Sequence, residues 1–249
     1  MLETLENAAV FGTPGELAEV AARACLAVAN DAIVRQGRFH IALAGGSTPR
    51  RLYQRLAALG SETDWTCWHL YFGDERCVPP DHLDSNYRMA REAWLDLVPI
   101  PAHQVHPMVL APGNPQACAR AYARTLEALP AEDGWPILDL ILLGLGDDGH
   151  IASLFPESDL LEEKDHPVAA GPGPGAGPSR VTLTYPVLDR AKRLWFIVTG
   201  AAKRDIVTRI HRGEGLTRPL PVQALTPRGQ IVWYLDHEAA AGITRGAGG

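Results

Sequence analysis

Residues 138–156, LDLILLGLGDDGHIASLFP, constrain the fold of this 249-residue chain more than any other segment. The segment begins with an apolar run up to Leu143, which is typical of a strand buried on both faces. Such strands belong to parallel sheets, and open α/β sheets bind ligands beyond the carboxyl ends of their strands. At that end come Gly144, Gly146 and Gly149, and glycine allows the backbone to turn sharply and to approach a ligand closely. The segment therefore predicts a buried strand that leads into a ligand site.

Asp148 and His150 lie among these glycines. Histidine has an unperturbed pKa of about 6.5, which suits proton transfer near neutral pH. A carboxylate two residues away can orient its ring. In the structural alternative, Asp148 caps a short helix at 151–154 and His150 fills a polar niche. The glycines favour the catalytic interpretation because they open room for a ligand, so we predict an acid–base pair here, with Asp147 facing solvent.

The spacing Gly144-x-Gly146-x-x-Gly149 also matches the dinucleotide-binding fingerprint. In that motif a long helix follows the last glycine and holds the pyrophosphate, and an acidic residue follows further along. Pro156 comes too soon after Gly149 for such a helix, and no strand-borne acid follows at the usual distance. The sequence therefore argues against a nicotinamide cofactor.

Helical and strand patterns alternate along the chain. They predict one α/β domain over residues 1–249, with a mostly parallel sheet and helices on both faces. Predicted strands are 39–44, 68–72, 105–110, 138–143, 180–184, 194–199 and 230–235. Predicted helices are 14–35, one that begins near Pro49, one from Ser85 or Asn86 to 98, 115–129 and 201–212. The segment 171–178, GPGPGAGP, is predicted to be a flexible loop inside this domain, with an interdomain linker as the alternative.

Composition excludes several classes of function. The net charge of −6 argues against a nucleic-acid surface, which requires clustered Lys and Arg. No apolar run approaches the ~18 residues that a membrane span needs. The N-terminal segment is acidic and lacks the basic and apolar regions of a signal peptide, so we expect a cytoplasmic protein without a membrane partner.

A glycine-rich turn follows the predicted strand 39–44. Gly45, Gly46 and Ser47 precede a helix, and Pro49 suits a first helical position with Ser47 or Thr48 as the cap. Free backbone N–H groups and the positive end of the helix dipole make such a turn suitable for phosphate. The alternative is an ordinary capped turn.

Two further strand ends carry cationic residues. Lys203 follows the strand 194–199 and is predicted in a first helical turn, where an anionic ligand would offset the unfavourable helix dipole. A solvated lysine is the alternative. Arg76 follows Asp74 and Glu75, as part of an ion-pair network or as a clamp for carboxylate or phosphate.

Other chemistries are disfavoured. His103 and His106 have spacing that suggests a metal site, but no third ligand is evident and prolines flank them, so we predict no metal. No GxSxG elbow occurs, and Ser153 is predicted on the short helix 151–154, which argues against a serine nucleophile.

Five motifs together resemble the family of 6-phosphogluconolactonases and glucosamine-6-phosphate deaminases. They are AGGSTP (44–49), GDERCVP with Ser85-Asn86 following (73–79), LGLGDDGHIASLFP (143–156), RVTLT (180–184) and TGAAK (199–203). The resemblance implies a Rossmann-like α/β fold and no metal or organic cofactor. The GPGPGAGP loop departs from what it leads us to expect.

Two positions separate the activities within that family. The deaminases carry Tyr where this chain has Arg76, and an acidic catalytic residue where it has Phe155. The resemblance therefore implies hydrolysis of 6-phospho-D-glucono-1,5-lactone in the oxidative pentose phosphate pathway. A deaminase or isomerase on the same scaffold and a non-catalytic sugar-phosphate sensor are the alternatives.

The expected site follows from these motifs. We expect the phosphate at the turn formed by Gly45, Gly46 and Ser47, with Lys203 and with Arg180 or Arg76. We expect His150 as the general acid–base, Asp148 as its partner and Arg76 as the oxyanion contact. Supporting residues are Asp74, Gly146 and Gly149. The partner is a small sugar-phosphate lactone, and monomer and homodimer both stay open.

Overall fold

The computed structural model describes residues 5, 8–213 and 219–243. The strands are β1 (Ala8–Phe11), β2 (Phe39–Leu43), β3 (Trp68–Phe72), β4 (Asp74–Arg76), β5 (Ala131–Glu132), β6 (Trp135–Pro136), β7 (Leu140–Leu143), β8 (Val168–Gly171), β9 (Arg180–Leu183), β10 (Arg193–Val198) and β11 (Gln230–Asp236). The α-helices are α1 (Pro14–Gln36), α2 (Ser47–Ala58), α3 (Asn86–Ala93), α4 (Pro115–Leu126), α5 (Tyr185–Arg190) and α6 (Arg204–His211).

Six strands form a parallel sheet in the order β1-β11-β10-β7-β2-β3. Every position of β2 and β7 is buried, so both faces of the sheet are covered at its centre. On one side α1 packs against α2, β2 and β11. These observations confirm the predicted α/β fold with a mostly parallel sheet. None of the helices in the described part of the chain is long and apolar enough to cross a bilayer.

The strand order reverses direction next to β2. From β2 the chain moves outward to β3, and it later returns to place β7 on the other side of β2. Such a reversal opens a crevice at the carboxyl ends of the strands, which is where open α/β sheets bind ligands. The loops after β2, β3, β7 and β10 all meet there.

A small antiparallel sheet, in the order β4-β9-β8, lies beyond the end of β3. Gly73 joins the two sheets, because its N–H donates to Leu43 O at 2.9 Å and its carbonyl accepts from Leu183 N at 2.8 Å. The small sheet therefore extends the wall of the crevice. The Gly/Pro-rich segment connects its strands β8 and β9 as a hairpin, with Gly177 N donating to Pro174 O at 3.1 Å.

Several predicted boundaries were wrong. Residues 105–110 form no strand beyond a single bridge between Leu70 and Val105, because Pro107 offers no N–H to a ladder. Residues 151–154 form a turn closed by a bridge between Ile151 and Leu154 instead of a short helix. The helix that was expected to reach 98 ends at Ala93 and continues as a short 3₁₀ turn.

Candidate active site

A cavity of about 300 Å³ opens at the carboxyl ends of the central strands. Its walls come from the loops after β2, β3, β7 and β10 and from the β8–β9 hairpin. Polar and glycine residues that line it include Gly45, Gly46, Asp74, Arg76, Asn86, Gly146, His150, Ser153, Arg180 and Lys203. Most residues predicted for the site from the sequence thus share one cavity.

Asp148 and His150 form the predicted pair in the turn after β7. His150 Nδ1 lies 2.6 Å from Asp148 Oδ1, and the backbone N–H of His150 donates to the same oxygen at 3.1 Å. Burial by itself raises the pKa of Asp148, but the backbone N–H and the charge of His150 outweigh it and lower that pKa. The carboxylate therefore stays ionised and orients the ring, which leaves Nε2 for a ligand.

Phe155 packs against the ring of His150, with 4.6 Å between the ring centroids. Phe155 also lines the cavity, and it is the residue at which the resemblance predicts an acid in a deaminase. It therefore gives the imidazole an apolar neighbour on that side.

Gly146 is required by the acid–base pair directly, whereas Gly149 is required by its backbone conformation and by the close approach of Leu220. A Cβ at Gly146 would lie 2.0 Å from His150 Nδ1 and 2.5 Å from Asp148 Oδ1, so a side chain there would displace the pair. Gly149 has φ of 83°, and a Cβ would lie 3.0 Å from Leu220 Cβ. Gly146 thus makes room for the acid–base pair itself.

Arg76 and Arg180 lie opposite each other in the register of β4 and β9. Arg76 Nη1 donates to the carbonyl of Asp84 at 2.7 Å. Arg76 Nε and Arg180 Nη1 are buried and have no hydrogen-bond partner within the described ranges. Burial and the charge of Arg76 lower the pKa of Arg180. Because buried guanidinium N–H groups are normally satisfied, this pair indicates a place for an anion.

The turn after β2 has a different cap from the one predicted. Gly46, with φ of 101°, is the N-cap of α2, and no side chain caps the helix. Thr48 Oγ1 instead lies 2.7 Å from Thr199 Oγ1, which links the turn to the loop after β10. Pro49 is the third helical residue, so the predicted cap by Ser47 or Thr48 was wrong. The N–H groups at this end of α2 consequently have no side-chain acceptor, which suits an anion.

Ser47 lies on a smaller cavity of about 200 Å³ next to the first one. Gly45, Gly46 and Lys203 line both cavities. The residues predicted to bind phosphate therefore do not all line one cavity, since Ser47 lines the small cavity and Arg76 and Arg180 line the large one. Lys203 lies where the cavities meet.

Lys203 is held by Asp147, with 2.6 Å between Nζ and Oδ1. The Asp147 side chain is 70% exposed, as predicted, but it is paired. Lys203 ends a 3₁₀ turn that precedes α6 and is not inside the first turn of that helix. Its ammonium group is thus paired with Asp147, and Lys203 lines both cavities.

Asp74, Asn86 and Ser153 connect the walls of the cavity. Ser153 Oγ donates to Asp74 Oδ2 at 2.5 Å, and Asn86 Nδ2 donates to the Asp74 carbonyl at 2.9 Å. A Cβ at Gly45 would lie 2.0 Å from Asn86 Oδ1, so these two residues are packed tightly. Asn86 and Ser153 were not predicted for the site from the sequence, because contacts between residues so far apart in the chain leave no local pattern.

No group of three or more His, Cys, Asp or Glu side chains suited to a metal occurs among the residues with described positions. The histidines of the 103–106 segment accordingly have no third ligand there. The fold and the cavity together define an α/β protein with three cationic side chains in one cavity with the histidine of a histidine–aspartate pair.

Comparison with known proteins identifies the family. The model for glucosamine-6-phosphate isomerases/6-phosphogluconolactonase matches residues 12–233. The 6-phosphogluconolactonase of Nostoc sp. is 41% identical over 215 residues, which cover 86% of this chain and 88% of that protein. The 6-phosphogluconolactonase of Synechocystis sp. is 42% identical over 214 residues, which cover 85% and 88%.

A solved structure agrees with these relatives. The 6-phosphogluconolactonase from Trypanosoma cruzi superposes with a TM-score of 0.83 at 31% identity, covering 97% of this chain and 98% of that one. This chain belongs to the glucosamine-6-phosphate isomerase/6-phosphogluconolactonase family.

Proposed function

We propose that this protein hydrolyses 6-phospho-D-glucono-1,5-lactone to 6-phospho-D-gluconate in the oxidative pentose phosphate pathway. The observation that carries the proposal is one cavity lined by His150, which is paired with Asp148, and by three cations, Arg76, Arg180 and Lys203. The similarity to relatives named 6-phosphogluconolactonase supports the same reaction. A cytoplasmic location stays a prediction from the sequence.

The phosphate binds between Arg180, Lys203 and the turn at Gly45 and Gly46. Support comes from the unpartnered N–H of Arg180, the uncapped start of α2 and the position of Lys203 between them. A dianion there satisfies the buried guanidinium and uses the positive end of the helix. This fixed anchor orients the lactone ring toward His150, which makes the reaction effectively intramolecular.

Neutral His150 acts first as the general base. Its Nε2 accepts a proton from water while the water oxygen bonds to the lactone carbonyl carbon, and the carbonyl electrons move onto oxygen. Asp148 stabilises the resulting imidazolium through Nδ1. The buried N–H of Arg76 offers a donor for the oxyanion, whose stabilisation supplies much of the rate increase in reactions of this type.

The intermediate then collapses. The carbonyl reforms, the bond from carbon to the ring oxygen breaks, and the imidazolium returns its proton to that departing oxygen. The product carries a new carboxylic acid that ionises at neutral pH. General acid–base help of this kind contributes about 10²–10⁴-fold.

The test is acid release from freshly prepared lactone, measured against spontaneous hydrolysis. We expect the wild type to accelerate the reaction and His150→Ala to lower kcat about 10²–10⁴-fold. His166→Ala is the matched control, because His166 Nδ1 also lies near a carboxylate, at 3.2 Å from Glu163 Oε1, but on the surface. No acceleration by the wild type would refute the function. A His150→Ala variant as fast as the control would refute only the role of that residue.

The second candidate is a deaminase or isomerase on the same scaffold. Phe155 disfavours it, since an apolar ring contacts His150 where those enzymes carry an acid. Release of ammonia from glucosamine 6-phosphate at a rate exceeding lactone hydrolysis would favour this candidate. Binding of 6-phosphogluconate without any turnover would favour a sugar-phosphate sensor.

A further inference from the structure

Glu75 is a buried carboxylate that the proposed reaction does not use. Only 2% of its surface is exposed. Burial raises the pKa of this side chain, against the opposing effect of hydrogen bonds from three backbone N–H groups. A buried carboxylate is costly unless its oxygens are satisfied, so the groups that donate to Glu75 show what it holds in place.

The two oxygens of Glu75 bind groups on two separate elements. Oε1 accepts from the N–H of Arg76 and of Asn86, both at 2.8 Å. Oε2 accepts from the N–H of Tyr87 at 2.8 Å and from Ser85 Oγ at 3.1 Å. One side chain therefore fastens β4 to the beginning of α3.

Capping of α3 accounts for only part of this arrangement. Ser85 is the N-cap of the helix and its Oγ accepts from the N–H of Arg88 at 3.1 Å, while Glu75 accepts from the first two N–H groups of the helix, those of Asn86 and Tyr87. The hydrogen bond from the N–H of Arg76 lies outside the helix, so capping does not explain it. The additional effect of Glu75 is to fix the backbone of Arg76 relative to Asn86.

Both of those residues line the cavity. The Asn86 side chain donates to the carbonyl of Asp74 and lies directly against Gly45, so its position is transmitted to the turn after β2. Arg76 lines the same cavity, and its buried Nε has no partner among the described residues. A change at Glu75 would therefore move both Arg76 and Asn86, which lie on different walls of the cavity.

We propose that Glu75 is a positioning residue that sets the place of the Arg76 guanidinium relative to His150. The inference rests on the proposed lactone hydrolysis. The Glu75 carboxylate accepts a hydrogen bond from the backbone N–H of Arg76. A substitution of Glu75 should therefore disturb the oxyanion contact of Arg76 more than the phosphate contact of Lys203. A displacement of an aligned group by about 1 Å lowers rates by up to about 10²-fold.

The test is Glu75→Gln, which keeps the shape but replaces one acceptor oxygen by an NH₂ group that faces N–H donors. We expect kcat to fall at least tenfold, while KM and the inhibition constant of inorganic phosphate change less than threefold. Asp139→Asn is the matched control. Asp139 is also buried, at 3% exposed, and accepts from the N–H of His40 and from Lys192 at the opposite end of the sheet.

The control separates positioning from stability. Asp139→Asn should lower the melting temperature but leave kcat within twofold of wild type. If Glu75→Gln fails to fold, Glu75→Asp keeps the charge and shortens the reach, and we expect an intermediate fall in kcat. Wild-type kcat in a folded Glu75 variant, or equal falls in kcat for both sites, would overturn the inference. Absence of lactonase activity in the wild type would instead overturn the proposed function.

Discussion

At the scale of single residues, the packing around Gly146 makes a sharp prediction. Gly146→Ala places a Cβ 2.0 Å from His150 Nδ1 and 2.5 Å from Asp148 Oδ1, so the pair must be displaced. We expect kcat for lactone hydrolysis to fall about 10²-fold, within the range attributed to general acid–base catalysis. Gly113→Ala is the control, because a Cβ at Gly113 meets nothing within 4 Å. Equal kcat values in the two variants would contradict this account of Gly146.

The same residues show which contacts a sequence can predict. Asp148 and His150 are two positions apart, so their spacing and the glycines around them suffice to predict their hydrogen bond. The bond from Ser153 to Asp74 joins residues 79 positions apart. Such a contact depends on how strands are ordered in the sheet, and a single sequence does not specify that order.

At the scale of elements, β4 and β9 place two arginines side by side in a small antiparallel sheet. Like charges in directly opposed positions destabilise a sheet. A buried donor without a partner adds a cost of about 1–3 kcal/mol. Arg76 and Arg180 thus carry an electrostatic and desolvation cost in the free protein, which the proposed phosphate group would reduce.

We therefore predict that Arg180→Met stabilises the free protein and weakens the enzyme. The melting temperature without ligand should rise, KM for the lactone should rise at least tenfold, and stabilisation by 6-phosphogluconate should decrease. The control is Arg35→Met, since Arg35 is an exposed partner of Asp31 on α1 and pairs of that kind contribute little. A lower melting temperature for Arg180→Met than for this control would refute the prediction.

Element length decided which parts of the fold the sequence predicted. The central strands and the long helix α1 carry enough apolar periodicity to be found. The strands that were not predicted are β1, β4, β5, β6 and β8, which contain two to four residues each. β1 and β4 form by pairing with strands distant in sequence, β11 and β9, which no local pattern reveals. β5 and β6 pair with each other but have two residues each, too few to show an alternation.

At the scale of the whole molecule, a cluster of histidines makes stability depend on pH. His40, His69 and His106 stack on the β2–β3 side of the sheet, with ring centroids 5.0 Å and 6.0 Å apart, and Tyr71 stacks on His106 at 4.5 Å. His40 is 2% exposed, and neither of its ring nitrogens has a partner within the described residues. The cluster therefore favours neutral rings.

Burial lowers the pKa of His40 to about 4 and that of His106 to about 4, and it also lowers the pKa of His69. Neighbouring charges act in both directions, since Arg38 lowers the pKa of His40 and Asp139 raises it. Between about pH 4 and the unperturbed value of about 6.5, the unfolded chain binds more protons than the native state. The free energy of unfolding is consequently greatest above about pH 6.5 and falls as the pH decreases toward 4.

Substitution of His40 measures how much of this pH dependence comes from one ring. His40→Leu removes one titrating group, so the slope of unfolding free energy against pH between 4 and 6.5 should decrease by up to about 1.4 kcal/mol per pH unit. His211→Gln is the control, because His211 is exposed at the end of α6. Urea unfolding at intervals of half a pH unit measures this slope for the wild type and the two variants. A His40→Leu protein with the wild-type slope would show that the buried histidine cluster does not determine stability in acid. A smaller slope in His40→Leu but not in His211→Gln would show that protonation of this cluster lowers the unfolding free energy between pH 6.5 and 4.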